Sequence, residues 1–278
     1  MIRISNKQAG LSLIELMLAM LLGIFLIAGI SIVYLSSKRT YNASNQLSQL
    51  DESARIAIKA LREHIEHAGY TRTGARNFPY LLSSSLTTAF ACPSGDSNVS
   101  NPNTVRFAEN DHSAGHGDSI GVAFQADKTL MRDCTGTAIP NDCLANSATS
   151  MVYNSFWVQV SAADGYPNLY CGGSRNYMPQ PLAQGIENIQ FLYGVDNDGA
   201  ENGWKIDQYK TANNMTSADW EKVMTVKAAL LVRSLERVHA QAEGGSYKLF
   251  EETITISPAD RYQRAVYTTT IHLRNVAL

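Results

Sequence analysis

The chain lacks a charge of one sign. Lys plus Arg number 23 and Asp plus Glu 25, so the formal net charge of its 278 residues is -2. A protein that coats nucleic acid needs a basic excess, and that class is set aside. Cysteine is scarce as well: four residues are too few for a disulfide-dense miniprotein. No pair has C-x-x-C spacing, which argues against zinc and thioredoxin-type sites. The chain has no G-x-S-x-G, no phosphate-binding P-loop, no H-E-x-x-H and no dinucleotide fingerprint. No nucleophile stands with a matching base, so an enzyme is not expected. A mean hydropathy of -0.16 excludes a many-spanning membrane protein. The apolar fraction of 45% still suffices for a packed core.

The apolar residues are unevenly spread. Residues 11–35 read LSLIELMLAMLLGIFLIAGISIVYL, with Glu15 as their only charge. As a helix this run would extend about 37 Å, enough to cross a hydrocarbon core of about 30 Å. MIRISNKQAG precedes it, with Arg3 and Lys7 and no acid. A secretory signal would place a small-x-small cleavage site after the apolar run. Here the small residues Ala9 and Gly10 come before it. Lys38 and Arg39 follow the run closely, so flanking charge alone leaves the orientation open.

Gly10, Leu11 and Glu15 in QAG-LSLIEL resemble the leader motif of the type IV pilin family. That motif is a short basic leader ending in glycine, an apolar first residue, and a glutamate four places on. The family's first residue is usually Phe; this chain has Leu11. The resemblance implies cleavage between Gly10 and Leu11 by prepilin peptidase, N-methylation of Leu11 and a cytoplasmic N-terminus. An acid within the bilayer costs about 2.5–3.5 kcal/mol. In the first turn of its own helix, Glu15 would also complement the helix dipole. The resemblance adds a partner, the free amine of Leu11 in an adjacent subunit, and with it a role in assembly register.

Beyond the apolar run the helical pattern continues but becomes two-faced. Leu47, Leu50, Ala54, Ile58, Leu61, Ile65 and Ala68 recur at three- and four-residue steps. Lys59–Glu63 and Arg62–Glu66 occupy the other side at i,i+4 spacing. Gly69 is the expected stop. A helix from Leu11 to Ala68 would be about 87 Å long. A membrane half plus a half packed on a head is the spine of a pilin, preferred here over a short coiled-coil stalk. The expected organisation is a leader at 1–10, a transmembrane half-helix at 11–35, an amphipathic half at 36–69 and a β-rich head at 70–278.

In the head, residues 70–103 read as loop, and strands are expected at 104–108, 119–125, 151–160, 188–194, 223–235, 248–256 and 264–275. VMTVKAALLVRS alternates Val226, Ala228, Leu230 and Val232 with Lys227 and Arg233. TSAD begins a short helix before Val223 with a capping-box pattern. One sheet packed on the helix, an α+β fold, is the economical arrangement.

Cys92, Cys134, Cys143 and Cys171 all lie in this head, which the leader motif would place in the periplasm, where disulfides persist. Four cysteines allow three pairings. Cys134 and Cys143 could close a small loop. We prefer Cys134 with Cys171, since each closes a strand region, which leaves Cys92 with Cys143.

PLAQGIENIQFLYGVDNDG, KAALLVRS and RAVYTTTIHLRN resemble the PilW-type minor pilin of type IV pili. The J-type minor pseudopilin of type II secretion, with a similar GIENIQF-like strand, is the competing family. The resemblance implies a low-abundance, single-pass inner-membrane protein with a periplasmic head. It would join other minor pilins and the major pilin, prime filament growth for twitching motility, and ride at or near the tip of the extracellular fibre beside a possible tip adhesin. A tip adhesin or DNA receptor is a rival of a different class. Arg72 and Arg76 could contact DNA, but clustered cations are lacking, and no nucleic acid is expected.

Asp196-Asn197-Asp198-Gly199 resembles the start of a Ca²⁺ loop, but Ala200 breaks the ligand spacing and Asp207 stands where a Glu is required. The reading adopted is a hairpin turn without cofactor. A calcium site on Asp196, Asp198 and Glu201 is the alternative. DHSAGHGD, residues 111–118, holds His112 and His116, and its glycines argue for an exposed polar loop rather than a metal site. His239 and His272 stand alone.

Overall fold

The structure is a computed structural model that describes residues 12–72, 78–81, 116–145, 150–173, 176–198 and 205–276. These fall into two compact units that divide in the sequence between Asn45 and Gln46. One helix, α1 (Leu13–Ile65), supplies residues to both.

In the first unit, α1 exposes its apolar side chains: Leu13 is 80% exposed, Phe25 69% and Ile32 69%. This stretch contains an 18-residue window of mean hydropathy 2.8 with none of it buried, long and apolar enough to cross a membrane.

In the second unit, α1 buries Gln46, Leu50, Ala54, Ala57, Leu61 and Ile65. The expected apolar face is rotated slightly. Ala57 enters the core at 0% exposure, whereas Leu47 stays 47% exposed. The helix then ends in a turn at Gly69, whose φ of 78° suits a residue without Cβ. The Gly69 N–H goes to the Ala123 carbonyl at 2.9 Å, joining the helix end to the strands.

The expectation of a single sheet is corrected. Among the described residues the head holds two four-stranded antiparallel sheets and a two-stranded hairpin. The first sheet has the order β1 (Ile120–Gln125), β2 (Met151–Val160), β3 (Pro167–Gly173) and β4 (Asn176–Gln184). A short helix, α2 (Asn141–Leu144), lies between β1 and β2 in the chain. The second sheet contains β5 (Ile186–Val195), β6 (Gln208–Lys210), β7 (Val223–Arg237) and β10 (Tyr262–His272), in the order β10-β7-β5-β6. Before β7, α3 (Ser217–Trp220) opens on the expected capping box, in which Thr216 and Asp219 exchange side-chain-to-backbone hydrogen bonds.

The strand expected over 248–256 is instead a hairpin, β8 (Ser246–Leu249) and β9 (Glu252–Thr255). Phe250, with φ 55°, turns the chain between them. The hairpin explains why β7 is buried on both faces. Val226, Ala228, Leu230 and Val232 share the main core with α1, while Ala229 and Leu231 pack with Leu249, Tyr247 and Ile254. The strand expected over 104–108 lies outside the described residues.

Arg264 locks the second sheet together. It is only 6% exposed. Its Nε meets Glu187 of β5 at 2.5 Å and its Nη1 meets Asp260 at 2.7 Å. A buried guanidinium costs little only when its donors are filled, and both carboxylates face it in bidentate fashion.

Candidate functional site

Glu15 sits in the first turn of α1 and closes a capping box with Ser12. The Glu15 N–H donates to Ser12 Oγ at 3.3 Å, and the Ser12 N–H donates to Glu15 Oε2 at 3.4 Å. The Ser-x-x-Glu spacing of residues 12–15 was legible in the sequence; the dipole reading of Glu15 passed over it. The carboxylate thus satisfies a helix-end donor within its own chain. Gly10 and Leu11 lie outside the described residues.

Cys134 and Cys171 are joined by a disulfide, with Cα atoms 6.2 Å apart. A polar turn holds Cys134 in place: Asp133 Oδ1 accepts from the N–H groups of Thr135 and Thr137, each at 3.0 Å. The Cys134 N–H in turn donates to Asn154 Oδ1 of β2 at 2.9 Å. Cys143, in α2, is also disulfide-bonded. Cys92 lies outside the described residues.

Asp196, Asp198 and Asp207 bring one carboxylate oxygen each to within 4.8 Å of one another. Asp207, which entered the sequence reading only as a defect in a calcium loop, is therefore part of the group; Glu201 lies outside the described residues. The loop connects β5 to β6, which pair antiparallel, as a hairpin connection requires. Its groups are also used internally. Asp207 Oδ2 accepts the Asn197 N–H at 2.7 Å, and Lys222 Nζ donates to the Asn197 carbonyl at 3.2 Å. Oxygen donors of this kind suit Ca²⁺, which takes six to eight of them.

The exposed loop expected at 111–118 is corrected over its described part. His116 Nδ1 lies 3.0 Å from the Glu187 carbonyl, and Gly117 bridges Ile189. Asp118 is 7% exposed and accepts the Phe191 N–H at 2.8 Å. Burial raises its carboxyl to about 7, against the lowering effect of that hydrogen bond. His112 lies outside the described residues.

His64, on α1 and half-buried, is another titratable group held away from its ordinary protonation. Burial lowers it to about 4, so the ring is neutral at pH 7. Its Nδ1 lies 3.2 Å from Asn154 Nδ2, which donates to it, and its ring packs on Phe156 at 5.5 Å. Arg72 is spent on structure: its guanidinium donates to the Leu144 carbonyl at 2.7 Å and to Ser150 Oγ at 3.2 Å. Arg76 lies outside the described residues.

Residues 155–275 match the family model described as Type IV Pilus-assembly protein W. The match takes in most of β2 and then every strand from β3 to β10, including the GIENIQF strand. No curated protein matches the chain. Among solved structures, a type IV-like pilin from Thermus thermophilus is similar at 14% identity and a TM-score of 0.40, over 82% of this chain and 98% of that one. The described fold is pilin-like in its own right, with a long N-terminal apolar helix followed by an antiparallel β-sheet head. Over residues 155–275, and so over the greater part of the head, the chain is similar to the Type IV Pilus-assembly protein W family, in agreement with the resemblance its C-terminal strands carry.

Proposed function

We propose that this chain takes part in type IV pilus assembly, priming filament growth with other minor pilins at the inner membrane and then lying at or near the pilus tip. The observation that carries the reading is residues 13–45 of α1, whose apolar side chains have no cover within their own unit. Such a surface needs lipid first and other apolar helices later, and a filament of bundled helices supplies both in turn. Prepilin peptidase cuts between Gly10 and Leu11, the new amine of Leu11 is methylated, and Glu15 pairs with the amine of a neighbouring subunit. The mechanism is association and takes no cofactor.

The capping box makes the role of Glu15 separable. Glu15→Gln retains a side chain that can serve the cap but loses the charge; Glu15→Ala loses both. If register depends on an ion pair with the neighbour's amine, both variants insert in the membrane and neither enters filaments efficiently. If Glu15 only caps its helix, the Gln variant incorporates like wild type, and the pairing role is wrong. A deletion strain should display far fewer surface pili while keeping its membrane pool of major pilin. Normal pilus numbers with lost attachment or DNA uptake would replace priming by a receptor role. Normal pili with lost protein secretion would move the chain to the secretion pseudopilins.

A further inference from the structure

Sheet edges expose unpaired backbone groups, and proteins usually guard them. The edges of this head are guarded unequally. On β4, Pro179 and Pro181 have no N–H to offer a further strand. On the opposite edge of that sheet, Val122 of β1 is bridged by Leu81. In the second sheet β6 is only three residues long. The remaining edge, β10, runs for 11 residues without proline or lysine. Among the described residues, no strand pairs with it on the side away from β7. Its middle, residues 266–270, is half-buried or exposed throughout.

A groove of about 590 Å³ runs beside this edge, between it and α1. From the sheet only Tyr267 of β10 lines it, and no residue of β7 does, so it opens along the free side of β10. Ala54, Ile58 and the Tyr267 ring give it an apolar floor. Arg55, Lys59 and Arg62 rim it with three cations against one carboxylate, Asp51. The Tyr267 hydroxyl already donates to that carboxylate. Arg55 is 78% exposed, with only a loose contact to Glu52 at 4.0 Å. Lys59 is exposed and has no ion-pair partner among the described residues. Arg62 leans over β10 and donates to Thr269 Oγ1 at 3.0 Å.

We propose that β10 and this groove form a strand-addition site for an extended acidic segment from the head of a neighbouring subunit. The segment pairs its backbone with the free edge of β10, and the carboxylates on one of its faces meet Arg55, Lys59 and Arg62. Main-chain pairing supplies the affinity and the cationic rim the selectivity, the usual division in strand addition. The partner's being a pilus subunit rests on the function proposed above; the binding chemistry does not.

The test uses the full chain in non-ionic detergent with two synthetic peptides. One alternates threonine with glutamate, and its twin carries lysine for glutamate. The glutamate peptide should bind roughly tenfold more tightly than its twin, the scale that two or three surface charge pairs can supply. Arg55→Glu/Lys59→Glu, at two exposed positions, should leave the melting temperature unchanged and invert the preference. Backbone amide exchange at residues 266–270 should slow on binding. Equal affinity for the two peptides, or binding without protection of β10, would overturn the proposal. Self-association of the free chain that protects these amides would also overturn it, by assigning the edge to a second copy. Absent peptide binding beside a deletion strain that loses its pili would remove this site alone and leave the assembly role standing.

Discussion

Residues 13–45 and 46–65 belong to one helix, yet they solve opposite problems. The first stretch is apolar on all sides as far as Leu35 and leaves Leu26 64% exposed; the second is apolar on one side and leaves Leu61 fully buried. Helical hydrogen bonding is common to both and explains neither difference. The second stretch is stabilised by a core it helps to build, with Leu50, Leu61 and Ile65 against the strands. The first leaves its apolar side chains uncovered within its own unit, a surface suited to lipid or to other helices. Leucine is therefore a stability residue in one stretch and, on the function proposed above, an assembly residue in the other.

Paired truncations put that comparison to its hardest test. Leu61→Ala should destabilise the head by about 2–5 kcal/mol through lost burial and a residual cavity. That corresponds to a fall in melting temperature of roughly 4–20 °C for a domain of this size. Leu26→Ala should leave head melting unchanged. Calorimetry of the two full-length variants reads the difference directly. A similar fall in both would mean that the two stretches share one folding unit, and the contrast would be wrong.

Much of this was legible because periodicity is a property of sequence. The switch from an all-round apolar run to a one-sided stripe located both stretches of α1. Strong β patterns placed β2, β5, β7 and β10 to within two residues, apart from a shift of three at the end of β10. What escaped notice has physical reasons. β3 and β4 are rich in Gly, Pro, Asn and Gln, and they are strands because neighbours supply the pairing rather than because of propensity. The β8–β9 turn is made by Phe250 with positive φ, which no turn residue announces. Asp118 sits in a segment that reads as polar loop, and only a tertiary contact with β5 buries it. Asp207 joins Asp196 and Asp198 across a loop, a proximity that sequence spacing does not encode.

Two titratable groups, half-buried His64 on α1 and buried Asp118 beside β5, sharpen the comparison further. His64 is lowered to about 4 and Asp118 raised to about 7. The two work against each other. Between about pH 4.5 and 6 the unfolded chain gains a proton at His64 that the fold does not hold, so this group makes stability fall on acidification. Over the same range the fold keeps a proton at Asp118 that the unfolded chain releases, so this group makes stability fall as pH rises. Each slope is at most about 1.4 kcal/mol per pH unit. Relative to wild type, Asp118→Asn should tilt the stability profile upward with pH, and His64→Gln should tilt it downward. Denaturant melts at several pH values measure both tilts. Parallel profiles for all three proteins would mean that neither group is held away from its ordinary protonation in the fold.

The smallest effect is expected at the β5–β6 loop. Asp196, Asp198 and Asp207 converge, and acids so placed repel unless something offsets them. Backbone and lysine groups are at hand: the Asn197 N–H donates to Asp207, and Lys222 reaches the Asn197 carbonyl. A turn already served in this way does not need a cation to close. Millimolar Ca²⁺ and a chelator should therefore give the same melting temperature to within about one degree, and Asp198→Asn should melt like wild type in both. An ion that bound the fold with free ligand at a hundredfold its Kd would add about 2.7 kcal/mol, or roughly 5–11 °C in a domain of this size. A saturable rise of that order, lost in Asp198→Asn, would turn the loop from a hairpin connection into a calcium site. The head would then have an ion-dependent element beside β6, at the opposite edge of the same sheet from β10.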